Sequence, residues 1–537
     1  MQRIYGTGGG FILVAILIAL AVRTIVISSS PTFLLGGDTP GYVAYTREII
    51  QNGFLVPGLN TLHFPGSFWV YPPILPYFWS IVSNALGNNP LTPFYVIEIS
   101  GIVADSFVII PLYKTARTIF GNGVAKAAAL MFTVYLPDLY ALTWGGVPQL
   151  FATLIFAWVI YFTVMISRQE TRSRKNAVAL GITLVILTFT HDLTIFVTVF
   201  VLTFVLVASI LLKKVKVPGL RPNVAHLNSI VKNIPLSLLI GLPAILLWYI
   251  PRYWWIIDAG APYIDANLPA IFPQNVGTLQ LIFQGVNGYL SPLGFAIFLI
   301  PLVAWSLYVA VRRDFEKSGV ILLFALSPIL ISIVDFHDPT IVARMGYYTF
   351  LPSLILASYG IIRLKEMYTR ESKAERGSYS IKPSGNQKRV IAVMLPLILV
   401  SALGVSANMN SHTFYNSYVD SSPSQVIDYS TLNWIHSNVP KNSTFASFGE
   451  FGYYIMGYDG NPTLVYQNLK YLTQPTEWNE SVAAYALVYQ PSQNLTLTEH
   501  LITKYNVSYV TSIVNVSVPG FYKEIYTDNS TTIYYVK

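Results

Sequence analysis

The sequence predicts a mainly α-helical polytopic membrane protein, with about eleven transmembrane helices and a small α/β domain after them. Three observations carry this reading. Charged residues make up only 11% of the 537 positions and apolar residues 53%, whereas soluble domains carry about 25% charged residues. Eleven apolar segments of 15–24 residues lie near the roughly 20 that a spanning helix needs. The loops between them alternate between rich and poor in Lys and Arg. A wholly soluble chain is excluded, because so few charges cannot cover its surface. Disorder is excluded too, since 14% of the residues are aromatic.

Taken in order, the spans fall near 11–28, 94–113, 124–142, 147–167, 176–190, 193–212, 234–256, 288–311, 319–334, 345–363 and 390–408. The first lacks a small-residue cleavage site and reads as an anchor helix, not a removed signal peptide. Basic residues gather in every second loop: at Arg3, then from Lys114 to Lys126, Arg168 to Lys175, Lys213 to Lys232, Arg312 to Lys317 and Arg363 to Arg389. The positive-inside rule makes these loops cytoplasmic. The N-terminus is then inside and the C-terminus outside. The same parity decides two ambiguous stretches. Residues 67–86 become an interfacial or re-entrant helix, because a span there would put Lys114, Arg117 and Lys126 outside. Residues 178–212 become two helices with an outward turn at Thr190-His191-Asp192, because a single helix would put Lys213, Lys214 and Lys216 outside.

Two domains follow: a transmembrane domain over 1–408, with a long first outer loop at 29–93, and an extracytoplasmic α/β domain over 409–537. The last segment has nine acidic residues against five basic ones. It holds all the Asn-X-Ser/Thr sequons, at Asn442, Asn479, Asn494, Asn506, Asn515 and Asn529, each a candidate for N-glycosylation on the outer face. Residues 423–437 have helical periodicity. Residues 444–448, 463–467 and 507–514 read as strands, and KEIYTDNSTTIYYV as a hairpin turning at Asp528-Asn529. Residues 372–389 read as a flexible cytoplasmic loop.

With no cysteine in the chain, disulfides, thiolate metal sites and cysteine nucleophiles are excluded. No GxxxxGK[ST], HExxH or GxSxG motif occurs. The net charge of +8 reports topology rather than a folded basic patch, so nucleic acid is not an expected partner. What remains for chemistry is a small set of polar residues at the outer boundary. Asp38 opens a helix at Asp38-Thr39-Pro40-Gly41. It either caps the free N–H groups of the first turn or serves as a general base or cation ligand. Asp138 lies at the end of the third span. His191 and Asp192 form one short turn, and Asp335, His337 and Asp338 another. Such turns equally serve as helix caps, while Asp with His also suits Mg or Mn. Arg344 either snorkels to the interface or offers its planar fork to a phosphate. Arg23, Glu98 and Asp105 fall inside spans, which keeps a non-enzymatic transporter open.

The order of these features resembles the GT-C superfamily of integral-membrane glycosyltransferases, which take sugars from polyprenyl-phosphate carriers. That superfamily includes protein O-mannosyltransferases, aminoarabinose transferases and oligosaccharyltransferase catalytic subunits. The likeness rests on a first span and then a long outer loop opening GGDTPGY. A helix ending at Asn52-Gly53 and a YPPIL segment with Tyr71, Pro72 and Pro73 follow. In the outer domain, LNWIHSNVPKNSTFASFGEFGYYIMG is similar to the oligosaccharyltransferase stretch that leads into a Trp-Trp-Asp-Tyr-Gly motif. Phe448, Gly449, Glu450, Phe451 and Gly452 stand at the motif positions, so both tryptophans are missing and Glu450 replaces the aspartate. The outer loop between the ninth and tenth spans is also very short.

The resemblance therefore implies an inverting transferase that moves a sugar from a polyprenyl-phosphate carrier to a glycan, lipid or protein acceptor on the outer face. An N-glycosylating oligosaccharyltransferase, and a transporter or envelope membrane protein, are the alternatives. Asp38 would be the catalytic base or, with Asp138, a ligand of Mg or Mn. Arg344 would hold the carrier phosphate, with Tyr71, Pro72 and Pro73 along the carrier lipid. Asp138, His191, Asp192, His337 and Asp338 would be accessory, and Glu450 would face the acceptor. A cysteine-free chain with a sequon-rich outer domain suits an archaeal cell envelope.

Overall fold

The computed structural model describes residues 8–28, 38–55, 60–62, 69, 71–87, 89–134, 138, 141–142, 145–168, 173–214, 224–271, 299–334, 339–374, 429–465, 475–512, 517–528 and 531–537. The expected span at 390–408 lies outside them; of the loop expected over 372–389, residues 372–374 are instead the end of a helix and the rest lies outside. Among the described residues, thirteen helices precede the α/β domain. They are α1 (Gly8–Ser28), α2 (Asp38–Gln51), α3 (Ile74–Leu86), α4 (Thr92–Phe107), α5 (Ile109–Phe120), α6 (Asn122–Thr133) and α7 (Val147–Arg168). Then come α8 (Ser173–Thr188), α9 (Asp192–Lys214), α10 (Val224–Ile271), α11 (Leu299–Arg313), α12 (Phe315–Val334) and α13 (Pro339–Ala374). Among the described residues, five stretches are long and apolar enough to cross a membrane: 92–120, 147–168, 192–214, 224–251 and 345–366.

Several expected elements differ in informative ways. The span near 94–113 falls on α4 and α5, which meet at Val108. Pro111 lacks the N–H that would have bonded the Phe107 carbonyl across that joint. The helix expected over 124–142 stops at Thr133. Its last carbonyls are taken by Arg23, which donates from Nη1 to Thr133 O at 3.1 Å and from Nη2 to Phe132 O at 3.4 Å. The segment at 67–86 yields only the 13-residue helix α3. At 1.5 Å per residue that is about 20 Å, short of the roughly 30 Å hydrocarbon core. Between α8 and α9 the chain turns at residues 189–191, where the basic-residue parity requires a turn.

Small residues let the helices approach closely. A Cβ built on Gly181 of α8 would lie 2.6 Å from Ile240 Cβ, and one on Gly241 of α10 would lie 2.7 Å from Leu184 Cβ. The two glycines thus admit each other's neighbours. Gly181→Val is expected to destabilise the protein by about 1–3 kcal/mol through overpacking. Gly123→Ala, whose Cβ would meet Ile362 at 3.8 Å, should be tolerated. Thermal unfolding of both variants in detergent checks the contrast.

The remaining elements are α14 (Tyr429–Asn438), β1 (Thr444–Ser447), α15 (Gly449–Tyr454), a π turn (Ile455–Asp459) and β2 (Thr463–Val465). They continue with α16 (Pro475–Tyr489), α17 (Leu495–Tyr505), β3 (Val507–Ser512), β4 (Tyr522–Thr527) and β5 (Thr532–Val536). The sheet order is β2-β1-β3-β5-β4. β1 runs parallel to β2 and β3, while β5 runs antiparallel to β3 and β4. The strands coincide with the expected ones, and Thr531 N donates to Asp528 Oδ1 at 2.7 Å to close the β4–β5 hairpin. One apolar core joins this sheet to the helices, running from Val43, Trp79, Phe94 and Val147 to Phe445, Phe451, Ile455 and Tyr458.

Glu480 on α16 is buried, and its Oε2 has no hydrogen-bond partner. Burial, followed by the neighbouring Glu477 carboxylate, raises its pKa to about 8, and Lys504 opposes this weakly. The folded state then holds a proton that the unfolded chain releases near pH 4.5. Stability should therefore fall as pH rises from about 4.5 to about 8, by at most about 1.4 kcal/mol per pH unit. Unfolding midpoints across this range should flatten in Glu480→Gln.

Candidate active site

The site is built around the first turn of α2. Asp38 opens this helix with an exposed carboxylate, where the free N–H groups and the helix dipole favour negative charge. One turn on, the Tyr42 hydroxyl points to Asp38 Oδ2 at 3.5 Å. Next to them stands an aromatic wall. Tyr71 lies 5.5 Å from Tyr42 and stacks on Tyr45 at 4.8 Å, ring centre to ring centre. Trp69 meets Tyr45 edge-on at 4.8 Å, and its Nε1 donates to Tyr71 O at 2.8 Å.

Tyr71 joins two parts of the chain. Its hydroxyl is buried without a hydrogen-bond partner. Burial first, then the nearby Tyr42, Asp192, Tyr45 and Asp38, raise its pKa well above the usual value. The phenol is therefore neutral and available as a donor. Asp38 and Asp192, far apart in sequence, act on the same ring. Pro72 and Pro73 carry no N–H to leave unsatisfied, and they lead into α3. The first amide of α3, Ile74 N, donates to Phe189 O at 3.0 Å. That bond ties the YPPIL segment to the 189–191 turn.

A polar chain starts from this turn. His191 Nδ1 accepts from Thr194 N at 3.2 Å and contacts Thr194 Oγ1 at 2.8 Å. With Nδ1 an acceptor, a neutral ring carries its proton on Nε2. Thr194 Oγ1 meets Tyr348 OH at 2.8 Å, and Tyr348 donates to Gln149 Oε1 at 3.4 Å. Gln149 Nε2 is buried with no partner. Asp192 Oδ1 accepts from the adjacent Leu193 N at 2.7 Å. Arg344 lies on α13 one turn before Tyr348, and residues four apart share a helix face; its side chain lies outside the described part.

The other candidate residues fall elsewhere. Asp138 is fully buried near Asp105, which forms an ion pair with Arg23, and neither Asp138 carboxylate oxygen has a hydrogen-bond partner. His337, Asp338 and Asp335 lie outside the described residues, as do Asn515 and Asn529. Glu450 is in α15, its side chain outside the described part. Around it Phe448 and Phe451 stack at 5.3 Å, and a Cβ on Gly452 would lie 2.5 Å from Val465. Asn442, Asn479, Asn494 and Asn506 are exposed, and Asn494 Oδ1 accepts from Leu497 N at 3.0 Å as a helix cap. Among the described residues no group of three or more Asp, Glu or His side chains could hold a metal ion. Sequence reasoning missed Tyr42, Tyr45 and Trp69, although Tyr42 follows Asp38 by one helical turn. Nothing local marks Gln149, Thr194 and Tyr348, which meet only through tertiary packing.

A helix bundle, the acid-led helix α2 and an appended α/β domain make up a fold that recurs in solved structures. The likeness runs across nearly the whole chain. The oligosaccharyltransferase AglB from Archaeoglobus fulgidus, in complex with an inhibitory peptide and a dolichol-phosphate, matches with a TM-score of 0.58 at 15% identity, over 94% of this chain and 69% of its own. ArnT from Cupriavidus metallidurans, bound to undecaprenyl phosphate, matches with a TM-score of 0.59 at 13% identity, over 98% of both chains. The mycobacterial arabinofuranosyltransferase AftD matches with a TM-score of 0.52 at 13% identity, over 97% of this chain but only 40% of its own. No family model and no curated protein matches the sequence.

Proposed function

We propose that this protein is an inverting membrane glycosyltransferase that transfers a sugar from a polyprenyl-phosphate carrier to a hydroxyl acceptor. The observation that carries this reading is the juxtaposition of Asp38, Tyr71 and Asp192 on a fold shared end to end with ArnT. The Asp38 carboxylate takes the proton of the acceptor hydroxyl. The acceptor oxygen attacks the anomeric carbon as the bond from that carbon to the carrier phosphate oxygen breaks. The phosphate leaves with the bonding electrons, and Arg344 offsets its growing charge. Tyr71, Pro72 and Pro73 border the carrier, and the exposed apolar residues Ile74, Phe78 and Ile81 of α3 suit contact with its lipid chain. His191 and Asp192, together with His337 and Asp338, serve as accessory groups, and Glu450 faces the acceptor.

Eleven spans, an inside N-terminus and an extracytoplasmic domain over 409–537 belong to the same proposal. So do glycans on the outer-face sequons. Mg or Mn held by Asp38 and Asp138 is its metal-dependent form. No step above is routed through an ion, since Asp138 is fully buried near Asp105 and Arg23 while Asp38 is exposed. The near-equal coverage with ArnT and the altered FGEFG motif favour a single-sugar donor over a sequon-directed oligosaccharide transfer. The test is to incubate the purified protein with undecaprenyl- and dolichyl-phosphate monosaccharides and follow mass gain on lipid, glycan and peptide acceptors. Transfer of a whole oligosaccharide to a sequon peptide, with none from monosaccharide donors, would overturn the reading.

A further inference from the structure

The helix α2 has two faces with different neighbours. On one, Tyr42 reaches Asp38, and Tyr42 and Tyr45 meet Tyr71. Pro40, Val43, Ala44, Arg47 and Gln51 follow the spacing of one helical stripe, and each of them meets the outer domain. A Cβ built on Gly457, in the middle of the π turn Ile455–Asp459, would lie 3.0 Å from the Pro40 carbonyl oxygen and 3.2 Å from Val43 Cβ. A side chain there would press on the α2 backbone, two residues from Asp38. Ala44 packs with Met456 and Val465. Arg47 donates to Gly457 O, to Tyr458 O at 3.0 Å and to Pro90 O at 3.1 Å. A Cβ on Gly460 would come within 3.3 Å of Gln51 Nε2.

The turn itself is braced from behind. The buried Asp459 carboxylate accepts from Asn461 Nδ2 at 2.5 Å and from Lys441 Nζ, and it contacts His436 Nδ1 at 2.8 Å. Tyr458 OH donates to Asn433 Oδ1 at 2.5 Å. From Leu62 in the first outer loop, the carbonyl accepts from Thr463 N of β2 at 3.3 Å. Residue for residue, the outer domain grips the side of α2 that faces away from the aromatic wall.

We infer that the π turn of the outer domain positions Asp38 for the reaction, with Gly457 and Arg47 as the positioning residues. Neither touches the reacting atoms. Gly457 sets how far the first turn of α2 advances, and Arg47 sets its rotation by holding two carbonyls of the turn at once. The inference rests on Asp38 acting as the base, and it makes the outer domain part of the catalytic geometry as well as a surface for acceptors. π turns inserted among α-helices recur at functional sites, and a displacement near 1 Å at a reacting group is worth about a hundredfold in rate.

The experiment compares Gly457→Val, Arg47→Ala and Arg47→Lys in the full-length protein, using the polyprenyl-phosphate monosaccharide that the wild type turns over. Gly457→Val and Arg47→Ala should lower kcat by about a hundredfold and leave KM for the carrier within twofold. Arg47→Lys should recover part of the loss. Hydrogen exchange should speed up over residues 38–51 and stay unchanged over β3 and β5. Unchanged kcat and unchanged exchange at 38–51 would overturn the inference, as would exchange rising equally across the outer sheet. Asp38→Asn separates the two layers of argument: if it is active, the base assignment fails, while the exchange result still judges the clamp.

Discussion

Asp38→Asn is expected to lower transfer by about 10²–10⁴-fold, the range for losing a general base, with little change in folding. Asparagine and aspartate are comparable caps at a helix N-terminus, so the swap removes charge and proton affinity while keeping shape. Asp38 is exposed, and an asparagine side-chain oxygen can still accept from Tyr42. The cost from the helix dipole is about 0.3–1 kcal/mol, too small to unfold the protein. The measurement is turnover of a polyprenyl-phosphate monosaccharide, alongside elution profile and melting temperature in detergent. Wild-type turnover by this variant would sink the assignment. Loss of activity with an unfolded profile would point to capping as the residue's main work.

The second large effect is on stability. Arg23 and Asp105 are both fully buried, with the buried Asp138 carboxylate near the same pair. Arg23 also holds the carbonyls that end α6 and lies 5.1 Å from the Phe132 ring centre. Arg23→Ala should therefore destabilise the protein by about 3–5 kcal/mol, since it strands two carboxylates away from water. The double variant Arg23→Ala with Asp105→Ala should lose less than the sum of its singles, because contacting residues couple. Additive losses would show that the pair carries no interaction of its own. Ionisable groups inside spans were the sequence's argument for a transporter. Arg23 and Asp105 answer each other in the structure, which supplies a packing reason for both.

What could be read from the chain follows from range. The break before Asp192 was legible because Lys213, Lys214 and Lys216 had to return to one side, and membrane topology depends on such one-dimensional counting. The strands of the outer sheet were legible from short Val-, Ile- and Tyr-rich runs between turn residues. The early end of α6 was not, because its cause, Arg23, lies about a hundred residues away and acts through a guanidinium on two carbonyls. In the candidate site, Asp38 and the Tyr-Pro-Pro segment were visible as local motifs. Their meeting at Tyr71 with Asp192 was not, nor was the chain from His191 through Thr194 and Tyr348 to Gln149. These depend on where four separate helices come to rest.

The order of the outer sheet has a consequence for the chain's biosynthesis. Among the described strands β5 comes last in the chain, yet it lies between β3 and β4 rather than at an edge. Until residue 536 has emerged, β3 can pair only with β1, and β4 has no neighbour at all. The sheet is therefore complete only once residue 536 has emerged, and until then a half-built sheet exposes unpaired strand edges, a state open to aggregation. Nascent chains arrested before residue 532 should remain protease-sensitive beyond residue 506, and acquire resistance only when the final strand closes the gap.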